Sequence, residues 1–395
     1  MKGIASKILI ALGIIFILAA ILWWAIAVNA LVKIPDDVDS TTYYQGEMTW
    51  YVNPITQEPL PEGSEMKGKM EVERSVLADS KQYSSSIALL TEEVKTSIKD
   101  LPGIPALPDQ TYKFAYVLDR KNSENVKDDR AFAWKTENVV DREGTYYPLL
   151  PFDTSKDRTY KVWKNEINEA AESEFVNEEE KEGVTVYNFK GSFENKEVTP
   201  TYIEVLGLPQ QMTFADIKPV LVAMGVDVDN LIALATQRLS PEDLQALNQA
   251  LQAAIPVTYL WSMETEISVE PKTGSPVDAY KDHETLSMKV DLTKMMGVFA
   301  VLTKYAQDPV LGPALGKLAD LQTLVGEMGA QKVFEYSYEQ TDDSVKQSMS
   351  DAKDSAGKIN LVKVYIPWAL LIVGALILII GLLIGGGGAV PQAEE

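Results

Sequence analysis

The sequence predicts an α+β protein: a large antiparallel β-sheet or distorted β-barrel with a helical cap, flanked by N- and C-terminal transmembrane helices. Three observations predict it. Two uncharged apolar runs stand near the ends of the chain, at 8–28 and 364–384. Between them, segments rich in aromatic and β-branched residues fill most of 40–205 and 257–290 and read as strand. Two sparsely charged blocks, 209–256 and 291–330, interrupt that pattern with apolar residues at helical spacing.

The apolar runs come first. At about 1.5 Å per residue, each matches a hydrocarbon core roughly 30 Å thick. Lys2 and Lys7 precede the first, and Trp23 and Trp24 lie near its far end. Tyr365 and Trp368 open the second. Such amphipathic rings favour the membrane interface. Ala25-Ile26-Ala27 fits a signal cleavage site, but the run exceeds the usual signal core, so an uncleaved anchor is expected. Two spans put both termini on one side. Lys2 and Lys7 make that side cytoplasmic, weakly opposed by Lys358 and Lys363. The expected order is a cytoplasmic tail (1–7), a span (8–28), an extracytoplasmic domain (33–363), a second span (364–384) and a cytoplasmic tail (385–395).

Charge and composition then bound the domain between the spans. The 395 residues include 57 Asp+Glu against 36 Lys+Arg, a net charge of −21. The negative excess falls between the spans. Nucleic acid is excluded as a partner, because phosphate binding needs a basic footprint. Cys is absent and there is one His. That removes disulfides, thiol redox chemistry, cysteine zinc sites and multi-histidine metal sites. The domain carries no Asn-x-Ser/Thr sequon. A large exported domain without disulfides fits the plasma membrane of a prokaryote.

Within the strand-rich part, a degenerate repeat recurs: Val52–Leu60, Val269–Val277 and, more weakly, Leu118–Val126. Each reads as a strand end, a tight turn and a strand start, hence a recurring hairpin. In the first block, Ser240-Pro241-Glu242-Asp243 starts a helix carrying Leu244, Leu247, Leu251 and Ala254. Thr213–Met224 and Asp229–Leu239 read as two shorter helices. In the second block, Asp291 can cap a helix bearing Leu292, Met295, Met296, Phe299 and Leu302, and Pro313 starts another reaching Met328. The blocks flank the Val269–Val277 hairpin and are expected to meet as one cap at one end of the sheet. Thr341–Asn360 reads as a polar helix leading into the second span. Pro200–Gly207 and Gly385–Gly388 read as breaks or linkers.

Several motifs come close to known chemistry and fail on their details. Gly312–Leu318 lacks the spacing and the hydroxyl of a phosphate loop. Asp153-Thr154-Ser155 has no second copy to share a proton with. His283, between Asp282 and Glu284, has no nucleophile motif beside it and reads as a surface residue. Asp227, Asp229 and Asn230 suit a helix cap better than a calcium loop, since the Gly at the sixth position is missing. The Glu-rich run 166–182 reads as a solvated face. No catalytic set, metal or cofactor is expected, and the chain reads as a non-enzyme.

A family resemblance rests on Pro151-Phe152-Asp153-Thr154 with Tyr160 and Trp163, then Glu182-Gly183-Val184-Thr185-Val186-Tyr187. It continues in Val269-Glu270-Pro271-Lys272-Thr273-Gly274, and in Tyr336-Ser337-Tyr338 through Asp342-Asp343-Ser344-Val345 into the last span. On these segments the chain resembles an actinobacterial family labelled PorA-family porins. The two-anchor layout also looks like that of class B scavenger receptors, which implies an apolar ectodomain tunnel for lipids. A porin implies a pore. Barrels that span membranes need no apolar helices, and two helices enclose no lumen, so a pore requires a homo-oligomer.

The expected function is binding and transfer of apolar envelope lipids, with the bilayer as the other partner. The alternative is a structural or interaction protein of the envelope, or a channel subunit. The candidate ligand residues lie in the helical blocks: Met212, Met224, Leu244, Leu247, Leu251, Met295, Met296, Phe299 and Met328. Methionine is unbranched and polarizable, which suits a surface that adapts to varied apolar ligands.

Overall fold

The computed structural model describes residues 2–104, 107–223, 226–291, 293, 296–315 and 329–386. One antiparallel sheet dominates it. The strands are β1 (Asp39–Trp50), β2 (Met66–Ala78), β3 (Ile87–Lys99), β4 (Gln110–Asp119), β5 (Phe132–Trp134) and β6 (Tyr160–Lys164). They continue as β7 (Glu169–Lys181), β8 (Val184–Glu197), the two-residue β9 (Gln211–Met212), β10 (Ile255–Glu270), β11 (Ser275–Val290) and β12 (Gln331–Gln340). The order across the sheet is β5-β4-β3-β2-β1-β12-β11-β10-β8-β7-β6, with β9 paired to β10. Two meanders are thus joined where the first strand meets the last: Tyr44 pairs with Gln340, and Trp50 with Phe334.

The edges of the sheet are linked through the chain between β4 and β6. Val126 N donates to Val117 O on β4 at 2.9 Å, Asn125 N to Thr145 O at 2.8 Å, and Tyr146 N to Lys161 O on β6 at 2.8 Å. The sheet rolls around an interior, and alternation along each strand sets what faces it. On β2, Met70, Val72 and Val76 are buried while Lys67, Lys69, Glu71 and Glu73 are exposed.

The three repeat copies fold as the same hairpin turn. Asn53 N donates to Glu58 O at 2.8 Å and Asp119 N to Glu124 O at 2.8 Å, while in the third Glu270 pairs with Ser275. The fifth residue of each, Gln57, Ser123 or Gly274, has positive φ and donates its N–H back to the first, at 2.7, 2.9 and 3.0 Å.

The helical blocks meet at the end of the sheet marked by Trp50 and Ile255. Ser240 caps Pro241–Leu251, its hydroxyl accepting from Asp243 N at 3.1 Å, and Asp227 caps Val228–Arg238 in the same way. Asp291 accepts from Thr293 N at 3.1 Å, and the helix Met296–Leu302 follows. Asp308, rather than Pro313, sits ahead of the next helical segment: it accepts from Val310 N and Leu311 N, and helix runs from 311 through the last described residue, 315. Ile217, Leu231, Leu247, Val298, Leu302 and Leu311 gather into the core of the cap. Pro200–Gly207 is a correction to the sequence reading. It holds a helix, Pro200–Val205, started by Thr199 and proline at its first position, and it buries Tyr202 and Ile203. Gly385 likewise belongs to a helix, not a linker.

The opposite end of the sheet carries the apolar helices. Gly3–Leu31 and Asp342–Gly385 are each long and apolar enough to cross a membrane. The polar helix Asp342–Asn360 lays Met349 and Ala352 against Val184, Val186 and Val277 of the sheet, then continues through a π-helical turn, Leu361–Tyr365, into Ile366–Gly386. The two apolar helices pack antiparallel at glycines. A Cβ on Gly13 would lie 2.7 Å from Leu378 N, and one on Gly374 would lie 2.9 Å from Phe16 Cβ. The N-terminal helix has its own π turn, Trp23–Ala27, facing the other. A π turn displaces the regular hydrogen-bond ladder and leaves carbonyls available. Here indoles take them: Trp23 Nε1 donates to Val362 O at 2.9 Å, and Trp24 Nε1 to Lys363 O at 3.0 Å.

Candidate functional site

The rolled sheet holds a partly open cavity of about 280 Å³. Strands on all sides contribute side chains from one alternation phase: Tyr44, Met48 and Trp50 on β1, Glu92, Val94, Thr96 and Ile98 on β3, and Phe334, Tyr336 and Tyr338 on β12. One wall is aromatic. The other, across β7, β8, β10 and β11, combines the small residues Ala171, Gly191, Thr265 and Ala279 with Glu172, Ile267 and Pro276, and the brevity of the small ones leaves space. At the cap end, Pro54, Gln57, Leu206 and Leu208 line the cavity, and Gln57 Nε2 donates to Gly207 O at 3.0 Å. Tyr202 stacks on Trp134 with ring centroids 4.3 Å apart.

A buried polar network lies beside the apolar lining. Glu92 is 2% exposed and pairs with Arg74. It also accepts from Tyr116 OH at 2.7 Å and Tyr147 OH at 3.0 Å. Asn165 Nδ2 donates to Tyr116 OH at 3.0 Å, and Arg142 Nη2 donates to Asn165 Oδ1 at 2.9 Å. Burial, reinforced by the Glu92 charge, pushes the Tyr116 phenol well above its ordinary value, so it stays a donor. Tyr336 is raised well above its ordinary value for the same reason, with Glu284 as the neighbouring charge. Thr265 Oγ1 and Trp50 Nε1 are buried and have no hydrogen-bond partner among the described residues.

The candidate ligand residues of the helical blocks sit elsewhere. Leu247, Leu251, Phe299 and Met212 pack into the core of the cap. Leu244 is half-buried, and Met296 is 47% exposed. None of these six lines the cavity in the sheet. Met224, Met295 and Met328 lie outside the described residues. His283 sits with positive φ at an irregularity of β11, and its neighbour Glu284 is fully buried and accepts from Tyr336 OH. Among the described residues, no cluster of His, Asp and Glu could hold a metal ion.

Sequence reasoning missed the network, although its signal was present. Arg74 falls in the same alternation phase as Met70, Val72 and Val76, and Glu92 in that of Leu90 and Val94. A charge on the buried phase of a strand needs a partner across the sheet.

The segments that carried the family resemblance converge at the end of the sheet next to the C-terminal helix. Thr154 N donates to Pro271 O at 2.6 Å and Leu150 N to Gly274 O at 2.9 Å, docking Pro151–Thr154 on the β10–β11 turn. Lys363 pairs with Asp153, and Lys272 Nζ donates to Asn360 Oδ1 at 3.0 Å. Those contacts tie both segments to the helix that continues into the apolar run. Residues 5–383 match the family model for porin PorA. The chain belongs to that family. No curated protein matches it. The porin PorA match spans both apolar helices, the whole sheet and the cap.

The sheet also has the reverse of a porin's polarity. A barrel in lipid is apolar outside and polar within. Here aromatic and aliphatic side chains point inward, and the outer face carries ion pairs: Lys67–Glu47, Lys69–Asp100, Lys95–Asp109, Lys113–Glu93 and Lys190–Glu264.

Proposed function

We propose that this porin PorA family protein is a non-enzymatic component of the cell envelope, held in the plasma membrane by its two apolar helices. Its sheet and cap work in water on the outer side, both termini are cytoplasmic, and any channel is a property of several assembled copies. The reversed polarity of the sheet carries this reading. A charged outer wall in hydrocarbon costs about 2–4 kcal/mol for each Lys or Arg at mid-bilayer, so the strands are poor candidates for crossing lipid. The helices, in turn, touch at Gly13 and Gly374 and leave no lumen between them. The test is conductance of the full chain in planar bilayers, recorded beside its oligomeric state. Steps that scale with the fraction of oligomer support an assembled channel. Conductance from a protein that stays monomeric would rule this reading out.

A second reading is favoured by the cavity. Its apolar lining suits an aliphatic guest, such as an envelope lipid chain, which the protein would hold and hand over. The site for such a guest is then the interior of the sheet, not the helical cap.

A further inference from the structure

We propose that the sheet cavity is a binding site for a neutral aliphatic amphiphile with an oxygen acceptor, an alcohol or an ester, and that it discriminates against the corresponding carboxylate. The inference rests on the reading that the cavity takes an apolar guest, and adds the chemistry of the guest's head.

Three observations carry it. The first is shape: Ala171, Gly191, Thr265 and Ala279 line one wall where larger side chains would fill the interior. The second is hydrogen bonding. Thr265 is 7% exposed and lines the cavity, and its hydroxyl has no partner among the described residues. Trp50 also lines the cavity, and its buried indole N–H likewise has none. Buried polar groups without partners are costly, and a guest that supplies an acceptor removes that cost. An indole N–H can only donate, so the guest must present an acceptor oxygen. The third is charge. The half-buried cation in the lining, Arg74, is already paired with Glu92. The other charged lining residues, Lys164, Glu166 and Glu172, bring no net positive charge. A carboxylate entering this space would lose its hydration without gaining a cation, whereas an alcohol or ester loses little.

The test uses the full chain in amphipol and the neutral fluorophore N-phenyl-1-naphthylamine, which brightens in apolar surroundings. Saturable binding is expected, and the cavity-filling variant Ala279→Phe should abolish it while keeping a cooperative thermal transition. Decan-1-ol and methyl decanoate should displace the probe at least tenfold more effectively than decanoate at pH 7.5. The near-isosteric Thr265→Val, checked to keep a cooperative thermal transition, should weaken displacement by decan-1-ol about threefold or more. Saturable binding that survives in a folded Ala279→Phe protein, or its absence in the parent chain, would overturn the guest-binding reading and this proposal together. Displacement by decanoate equal to that by decan-1-ol, or an unchanged Thr265→Val, would overturn the proposal and leave the guest-binding reading standing.

Discussion

Gly274 holds two of the family segments together. Its φ is +72°, and a Cβ there would lie 2.1 Å from Leu150 O. Only glycine fits both conditions. Gly274→Ala is therefore expected to lower stability by about 2 kcal/mol or more, read as a lower unfolding midpoint in guanidinium. An unchanged midpoint would refute the docking. In the network, Arg74→Met should cost about 3–5 kcal/mol, because it leaves the Glu92 carboxylate buried without its cation. The double variant Arg74→Met with Glu92→Met should recover much of that loss, which a double-mutant cycle measures. Tyrosine burial adds a pH dependence. Desolvation pushes Tyr112 and Tyr259 up to about 12. Their folded values lie above the unfolded value of about 10, so the stability they contribute is complete below pH of about 10 and is lost as pH rises toward 12. Guanidinium midpoints should fall between pH 9 and pH 11, and Tyr259→Phe should shrink the fall. At this scale the sequence was partly legible. The alternating phase marked which residues face inward, but not that Arg74 and Glu92 would meet, because their pairing depends on the β2–β3 register.

At the scale of elements, the helix starts were readable because their signals are local. Ser240-Pro241 and Asp227 work as caps where expected. Thr199-Pro200 carries the same signature, yet it reads as a break when proline is weighed without the threonine before it. The hairpin repeat was readable for a similar reason: an acceptor side chain at the first position and positive φ at the fifth define one turn. Asn53, Asp119 and Glu270 each accept from backbone N–H groups of their own turn. The helix pair was legible as two long apolar helices, but its tight packing was not. Gly374→Leu must displace Phe16 and Gly13, since small residues let such helices approach. Because the chain lacks Cys, Ser6→Cys with Gly385→Cys reports the pairing directly. Oxidation should crosslink these two positions, and Gly374→Leu should reduce the yield several-fold. Equal yields would show that the glycines do not set the distance.

For the whole molecule, the layout of terminal apolar helices, sheet and helical cap followed from where the apolar runs and strand-rich segments stand. The joining of two meanders into one rolled sheet did not, because it depends on β12 pairing with β1 across nearly the full length of the chain, with isolated bridges through 124–146 between its edges. The location of the cavity was equally hidden. Methionine-rich helices attracted attention in the sequence, yet of their described methionines Met212 packs against the core of the cap and Met296 is 47% exposed, while small residues on four strands open the space inside the sheet. The central claim is that the membrane is crossed by the helices and not by the strands. The most direct measurement is maleimide labelling, by a water-soluble reagent, of single cysteines in open membrane fragments that expose both sides. Lys113→Cys lies on the outer face of β4, where Lys113 is 63% exposed, and Leu376→Cys lies on the C-terminal helix. Complete labelling at Lys113→Cys, with protection of Leu376→Cys until detergent is added, is the expected result. Protection of Lys113→Cys in the same fragments would place the strands in lipid and contradict the account.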